Sequence, residues 1–210
     1  MFNLRLYFIS AVILSNSAFA FAQADAAYEV DPNAKVLGQA GQVKIQKEFC
    51  DQNYSCDYVL YDAKGERQVL ITNWSKTAHV YQFNSNLMGF KLGSTGGGHV
   101  LTIIDHKNHQ KDYSNFLAIN KSKNCFVTYE SGLKNMPDSL VFYSVPDLRV
   151  HLVLNHKVPQ FKQFTYPNST NFEDNGDFSF NYNVKFEGEM DNQYVMIQKP
   201  CQPDYRVIMN

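Results

Sequence analysis

Three histidines and an aspartate are the residues of this chain best suited to metal chemistry. Asp105, His106 and His109 lie within five positions of one another, and His99 precedes them by a few residues. Imidazole nitrogens and carboxylate oxygens together bind zinc, copper or nickel. The pattern predicts a metal site on Asp105, His106 and His109, and a metal-dependent enzyme using His99, His106 and His109 is one candidate function. A solvated hairpin turn is the competing interpretation, because such turns also collect these residue types.

Trp74 is the only tryptophan and lies in Asn73-Trp74-Ser75, at a predicted loop end. An exposed indole ring can stack on a sugar or anchor a protein partner. The same ring could instead cover the edge of the core, as large aromatic side chains often do. Trp74 therefore joins His99, His106 and His109 as a predicted binding residue, with a protein or a glycan as the expected partner.

Other catalytic signatures are missing from the sequence. There is no GxSxG motif, so a nucleophile elbow is not expected. The glycine-rich stretch at residues 93–98 precedes a strand-like run and no lysine, whereas phosphate-binding loops open a helix. We therefore expect no cofactor, and binding is favoured over catalysis.

Four cysteines, at positions 50, 56, 125 and 201, follow the N-terminal apolar segment. An even number of cysteines in an exported chain indicates disulfide bonds. Cys50 and Cys56 flank a five-residue polar loop between two strand-like runs, so we predict that they pair. Cys125 would then pair with Cys201 and tie the C-terminal part of the chain to the central sheet.

The N-terminal residues are typical of a cleaved secretory signal. Arg5 precedes an apolar run at residues 6–14, and small residues at Ala20 and Ala22 offer cleavage sites. The apolar run is shorter than the roughly 20 residues that a membrane span requires. We therefore predict a signal peptide at residues 1–22, a secreted or periplasmic location, and no membrane span.

Charge and length limit the remaining possibilities. The chain has 19 basic and 20 acidic side chains with no block of either sign, so nucleic acid is not an expected partner. Pro32, Gly38 and Gly41 interrupt a polar segment, and residues 23–41 are predicted to be a flexible N-terminus. Residues 42–210 have the length of a single all-β domain.

Alternating side chains indicate the fold class, most clearly at residues 177–187. Phe178, Phe180 and Tyr182 alternate with polar residues, which places them on one face of a strand. Similar runs separated by short turns recur along the chain, with polar turns or loops expected at residues 105–113 and 168–176. We predict an antiparallel, meander-type β-sandwich or open barrel with little helix. Four-stranded propeller blades were the alternative, but no second copy with matching spacing is evident.

Together these features favour an exported, disulfide-bonded β-protein that acts by binding. Its loops, held on a rigid sheet, would form the contact surface. An inhibitor of, or immunity factor against, an extracytoplasmic enzyme is the most concrete version of this prediction. A carbohydrate-binding module and the metal-dependent enzyme described above are the alternatives.

Overall fold

The computed structural model of the chain describes residues 29–94, 97–131 and 138–209. The predicted signal peptide at residues 1–22 lies outside this part of the chain, as do the first residues of the segment predicted to be flexible. Asp31–Asn210 form one structural unit. Within the described residues, no helix is long and apolar enough to cross a membrane.

The described residues form four antiparallel sheets, and each sheet consists of four strands in chain order. Sheet 1 contains β1 (Lys35–Ala40), β2 (Val43–Glu48), β3 (Cys56–Tyr61) and β4 (Arg67–Trp74). Sheet 2 contains β5 (Thr77–Asn84), β6 (Leu87–Gly93), β7 (Val100–Asp105) and β8 (Gln110–Ser114). Sheet 3 contains β9 (Phe116–Ile119), β10 (Cys125–Glu130), β11 (Ser139–Ser144) and β12 (Val150–Leu154). Sheet 4 contains β13 (Ser169–Phe172), β14 (Phe178–Phe186), β15 (Glu189–Gln198) and β16 (Arg206–Met209), and a short 3₁₀ helix, Pro159–Phe161, precedes it.

Strand β14 shows how the alternating pattern builds a sheet. Phe178, Phe180 and Tyr182 are buried, as their spacing predicts. They pack with side chains of sheet 3, including Phe142, whose ring centroid lies 5.1 Å from that of Phe178. Burial of large aromatic side chains is the dominant favourable contribution to such packing.

The sheets pack face to face through three clusters of buried apolar side chains. Met88 and Phe90 of β6 pack against sheet 1, whereas Leu101 and Ile103 of β7 pack against sheet 3. A third cluster joins the other face of sheet 3 to sheet 4. Sheets 2 and 3 are therefore buried on both faces, which explains why their central strands are more continuously apolar than an alternating strand.

The first strands lie beside each other in two pairs of sheets: β1 of sheet 1 contacts β5 of sheet 2, and β9 of sheet 3 contacts β13 of sheet 4. Consecutive four-stranded meanders with adjacent first strands are the arrangement of β-propeller blades. The prediction of an all-β, antiparallel meander fold with little helix is confirmed. The strands are divided among four separate sheets. This is the blade-like arrangement that was not predicted, because the sequence shows no repeat.

Three strands form where turns, loops or a flexible segment were predicted from the sequence. They are β1, β8 and β13. Only one side chain in each of β1 and β8, and none in β13, is fully buried. Few buried side chains leave little alternation for the sequence to show. Residues 35–40 of the segment predicted to be flexible pair with β2, and Gly38 is needed there because a Cβ would lie 2.3 Å from Cγ1 of Val80.

A five-residue turn that begins with aspartate recurs at three hairpins. The first residues of these turns are Asp51, Asp62 and Asp105. Oδ1 of each aspartate accepts backbone N–H groups from the third and fifth residues at 2.8–2.9 Å. The backbone N–H of the first residue donates to the carbonyl of the fifth residue, and the backbone N–H of the fourth residue donates to the carbonyl of the first. The fourth residue has a positive φ in every case, and it is Tyr54, Gly65 or Asn108.

Candidate functional site

Both predicted disulfide pairs are confirmed. Cys50 bonds to Cys56 with a Cα–Cα distance of 4.1 Å, and Cys125 bonds to Cys201 with a Cα–Cα distance of 5.7 Å. The first bond closes the loop between β2 and β3. The second bond joins β10 of sheet 3 to the connection between β15 and β16 in sheet 4.

The structure brings Asp105 and His109 of the predicted metal site together. Nδ1 of His109 lies 2.9 Å from Oδ2 of Asp105, while Oδ1 accepts the two backbone hydrogen bonds of the turn. Burial acts to raise the pKa of Asp105, but the hydrogen bonds from His109 and Lys107 lower it overall. The Asp62 turn has the same backbone bonds without a histidine. This geometry supports the solvated-turn interpretation.

His106 occupies the same turn, with an exposed side chain and a backbone N–H that donates to the carbonyl of Asn86. A metal site needs at least three protein ligands in most cases. The described residues contain no group of three or more His, Cys, Asp or Glu side chains that could hold a metal ion. The metal site on Asp105, His106 and His109 therefore stays a prediction that gains no geometric support.

His99 lies against β6, where its ring packs over Gly93 so closely that a Cβ there would be 1.8 Å from Cδ2. Burial and the nearby charge of Lys91 lower the pKa of His99, and a hydrogen bond with the Ser94 backbone acts in the opposite direction. His79 lies directly opposite Lys91 across β5 and β6. Burial, Lys91 and Lys123 lower the pKa of His79 as well.

Trp74 ends β4 and lies at the edge of the core between sheets 1 and 2. Its ring is partly buried against that core, and Nε1 donates a hydrogen bond to the Thr77 carbonyl at 3.1 Å. The Lys76 ammonium lies 5.9 Å from the ring centroid. This position agrees with the core-edge interpretation, and a role of Trp74 in binding stays a prediction.

The loop closed by the first disulfide, residues 50–56, presents an exposed aromatic side chain and is called the Tyr54 loop below. Tyr54 is 82% exposed, although its φ is +61°. Phe49, directly before the loop, has a φ of +48°. Left-handed backbone is unfavourable for bulky residues, and such strain is concentrated at functional sites.

A cleft of about 640 Å³ opens beside the Tyr54 loop, at the seam between sheets 1 and 2. It is called the lysine cleft below. Its lining residues are Lys47, Tyr54, Tyr58, Ser75, Lys76, Thr77, Ala78 and Ser94. The lining carries two ammonium groups and no carboxylate among these residues, so it favours a negatively charged group.

A second cleft, of about 460 Å³, lies at the seam between sheets 2 and 3 and is called the tyrosine cleft below. Its lining residues are Lys111, Asp112, Tyr113, Ser114, Asn115, Tyr129, Glu130, Ser131 and Tyr143. Tyr113 is only 4% exposed, and no described residue forms a hydrogen bond with its hydroxyl. A buried polar group without a partner is costly, so this hydroxyl lowers the stability of the folded protein.

Glu130 is the central acceptor of the tyrosine cleft. Its Oε1 accepts hydrogen bonds from the hydroxyls of Tyr143 and Thr128. Burial, followed by the hydrogen bond to Glu130, raises the pKa of Tyr143. The rings of Tyr113 and Tyr143 meet edge to face with centroids 4.9 Å apart. This packing fixes both phenol groups at the cleft.

Neither Tyr54 nor Tyr113 is among the site residues predicted from the sequence. A signal for Tyr54 exists in the sequence, because aligning Asp51-Gln52-Asn53-Tyr54-Ser55 with the turns at Asp62 and Asp105 shows tyrosine where the other turns have glycine or asparagine. No such signal exists for Tyr113, since only the folded arrangement of sheets 2 and 3 buries its hydroxyl away from a partner among the described residues.

No protein-family model matches the sequence, and no curated protein matches it. Among solved structures, the β-propeller domain of the trilobed protease from Pyrococcus furiosus, described as having an open velcro topology, is similar over 87% of this chain. The sequence identity is 9% and the TM-score is 0.36. The chain matches 59% of the length of that structure.

Proposed function

We propose that the protein is an exported binding protein that recognises a protein partner through the Tyr54 loop and the lysine cleft. The observation that carries this proposal is Tyr54, which is 82% exposed on a left-handed backbone position in a disulfide-closed loop. Export is supported by the signal-like residues 1–22 and by two disulfide bonds, which persist in oxidising compartments.

The comparison of the three aspartate turns supports a role for the Tyr54 side chain. Gly65 and Asn108 tolerate a positive φ, whereas tyrosine in this conformation costs about 1–2 kcal/mol. The exposed ring gains little burial in return. A strained and exposed aromatic residue is therefore better explained by contact with a partner than by the stability of the free protein.

Rigidity and charge favour a protein partner. The disulfide and the Asp51 turn hold the loop in one conformation, so little conformational entropy is lost when it binds. Tyrosine is enriched at the energetic centres of protein interfaces. Lys47 and Lys76 in the adjoining cleft favour a partner that places a carboxylate beside the tyrosine. An inhibitor or immunity-type partner of an extracytoplasmic enzyme fits this description.

The substitution Tyr54→Asn tests the proposal, because Asn108 occupies the same turn position. We expect it to raise the free energy of unfolding by about 0.5–1 kcal/mol, since asparagine tolerates the left-handed conformation. Loss of the aromatic anchor should weaken partner binding at least tenfold. Chemical denaturation measures the first effect. Capture by the immobilised protein from an extract of its own compartment, followed by titration of the captured protein, measures the second.

Tyr205→Asn is the matched control, since Tyr205 is also exposed but lies in the turn before β16. A specific partner should be retained by the wild-type protein and by Tyr205→Asn, and should be lost by Tyr54→Asn. It should also be released by higher salt concentration, because the lysine cleft contributes charge. If the wild-type protein and both variants capture the same proteins with equal affinity, recognition through the Tyr54 loop is wrong.

A further inference from the structure

We infer that a group of basic side chains at the seam between sheets 2 and 3 binds a phosphate or sulfate group. It is called the basic cluster below and consists of His79, Lys91, His99 and Lys123. This site lies at a different seam from the lysine cleft and does not depend on a protein partner. The observation that points to a ligand is that two ammonium and two imidazole groups come together, and none of them forms an ion pair with a described carboxylate.

Sheet 2 places His79, Lys91 and His99 beside one another. His79 of β5 lies directly opposite Lys91 of β6, and both face sheet 3, because the neighbouring Leu92 packs toward sheet 1. Gly93 follows Lys91 on the same face, and the ring of His99 fills the space that a side chain at Gly93 would take. Lys91 is therefore adjacent to both imidazole side chains.

Sheet 3 completes the basic cluster. The ammonium of Lys91 lies 5.6 Å from the ring centroid of Phe116, the first residue of β9. The backbone N–H of Phe116 donates to the carbonyl of His99 at 2.9 Å, which joins the two sheets at this point. Burial, Lys91 and then Lys123 lower the pKa of His79, so Lys123, in the turn between β9 and β10, lies near the same group.

The described residues supply no negative charge to balance this cluster. Another partly buried cation, Arg67, donates to Oε2 of Glu48 at 3.2 Å, whereas Lys91 contacts an aromatic ring. Burial lowers the pKa of Lys91, and burial followed by the charge of Lys91 lowers the pKa of His99. An anion bound among these groups would offset both the burial and the repulsion between like charges.

The donors of the basic cluster favour a tetrahedral oxyanion. Each neutral imidazole offers an N–H group, and each ammonium offers several N–H donors in addition to its charge. A phosphate or sulfate group can accept from several such donors at once through its oxygens. Lys91 and Lys123 would repel a metal cation. The side chains of His79 and Lys123 are exposed, so an anion in solution can reach them.

Anion titrations followed through the ring resonances of the six histidines in a proton–carbon NMR spectrum at constant pH test the inference on the full exported chain. Inorganic phosphate and sulfate test the free ions, and glucose 6-phosphate tests the same group carried as an ester. We expect at least one of them to shift His79 and His99 saturably, with half-saturation at about 1–10 mM at low ionic strength. His106 and His109, in the turn between β7 and β8, should not shift.

Two substitutions locate the bound anion. Lys91→Met should weaken binding about tenfold, because the anion loses a charge-assisted hydrogen bond. Methionine retains an apolar side chain against Phe116, so this variant should fold. Lys123→Met should weaken binding about threefold, since the ammonium of Lys123 is exposed and more screened by solvent.

Lys44→Met is the matched control, because Lys44 is also partly buried and lies 5.2 Å from the centroid of an aromatic ring, but in sheet 1. It should leave anion binding unchanged, as should Tyr54→Asn. The inference would be overturned by the absence of saturable binding of all three anions at about 50 mM, or by an affinity within twofold of wild type in Lys91→Met. Shifts of equal size at all six histidines, or binding of zinc instead of the anions by the two imidazoles of the basic cluster, would also overturn it.

Discussion

Tyr54 and Tyr113 are the same residue type, placed in opposite ways at two neighbouring seams between sheets. Tyr54 has an exposed ring on a strained turn, whereas Tyr113 has a buried ring on a regular strand and a hydroxyl that no described residue pairs with. In the first case the unfavourable energy lies in the backbone, and in the second it lies in a polar atom. Each feature lowers the stability of the folded protein, and functional sites commonly retain such features.

The two regions also differ in what holds them. The Tyr54 loop is fixed locally, by a disulfide bond and by the Asp51 turn within six residues. The tyrosine cleft is fixed by contacts between sheets 2 and 3, where the ring of Tyr113 meets those of Phe126 and Tyr143 edge to face, each with centroids 4.9 Å apart. A local device can be removed without loss of the fold. The inter-sheet packing cannot, so variants at the two regions should behave differently.

The largest expected effect is on stability, and it contrasts the local disulfide of the Tyr54 loop with the disulfide that joins sheets 3 and 4. Replacing Cys125 and Cys201 by serine should lower the free energy of unfolding by about 4 kcal/mol, because the bond closes a long loop. Replacing Cys50 and Cys56 should lower it by only about 2 kcal/mol, since the loop is short. Denaturant unfolding under non-reducing conditions measures both values.

Binding assays on the same variants sharpen this contrast. The Cys50→Ser, Cys56→Ser variant should lose partner binding through the Tyr54 loop, yet keep the near-ultraviolet circular dichroism of the packed rings of Tyr113, Phe126 and Tyr143. If loss of the short disulfide abolishes both, then the two regions are coupled and the distinction between a local and a global site fails.

Paired phenylalanine substitutions at the tyrosine cleft should have a smaller effect, with opposite signs. Tyr143→Phe removes a hydrogen bond to the carboxylate of Glu130 and should lower the free energy of unfolding by about 1.5 kcal/mol. Tyr113→Phe removes a buried hydroxyl that has no partner among the described residues and should raise it by about 1 kcal/mol. Urea unfolding of both variants beside the wild-type protein measures the difference. Equal destabilisation by both variants would show that the Tyr113 hydroxyl is paired in solution.

The smallest expected effect is a pH dependence carried by sheet 2. His79 and Lys91 continue the row of paired residues that runs through Leu101 to Tyr113. The pKa of His79 and that of His99 are lowered in the folded protein. The unfolded state therefore binds protons more readily, and stability should fall as the pH drops through about 6.5. Melting temperatures at pH 7.5 and 5.5 test this.

Lys91→Met is the matched variant for the pH effect, because Lys91 contributes to both histidine pKa shifts. It should reduce the loss of melting temperature between pH 7.5 and 5.5. The lowered pKa of Asp105 does not contribute in this interval, since that carboxyl titrates at lower pH.

The Tyr54 loop contains no histidine, so partner binding should be independent of pH over the same range. A steeper pH dependence in Lys91→Met would contradict the assignment.

Much of the strand structure could be predicted from the sequence, because strands with one buried face alternate visibly. Residues 116–119 and 177–187 are examples, and the observed strands are Phe116–Ile119 and Phe178–Phe186. Strands β1 and β8 could not be predicted because each has only one fully buried side chain, so the sequence shows no alternation there. The division into four sheets was missed because the repeat lies in backbone hydrogen bonds, as in the turns at Asp62 and Asp105, and little in side-chain identity.

The sequence by itself determined the all-β class and the antiparallel meanders, because alternation and turn residues are local properties. It also predicted the Cys50–Cys56 pair from its short loop, which left Cys125 and Cys201 as the second pair. It could not determine which polar atoms would be satisfied. Only the packing of sheet 2 on sheet 3 decided that the Tyr113 hydroxyl is buried with no partner in the part of the chain that the structure describes, and only the hairpin backbone decided that Tyr54 is both strained and exposed. Both properties depend on neighbours that are distant in the chain or on backbone geometry, which residue types alone do not specify.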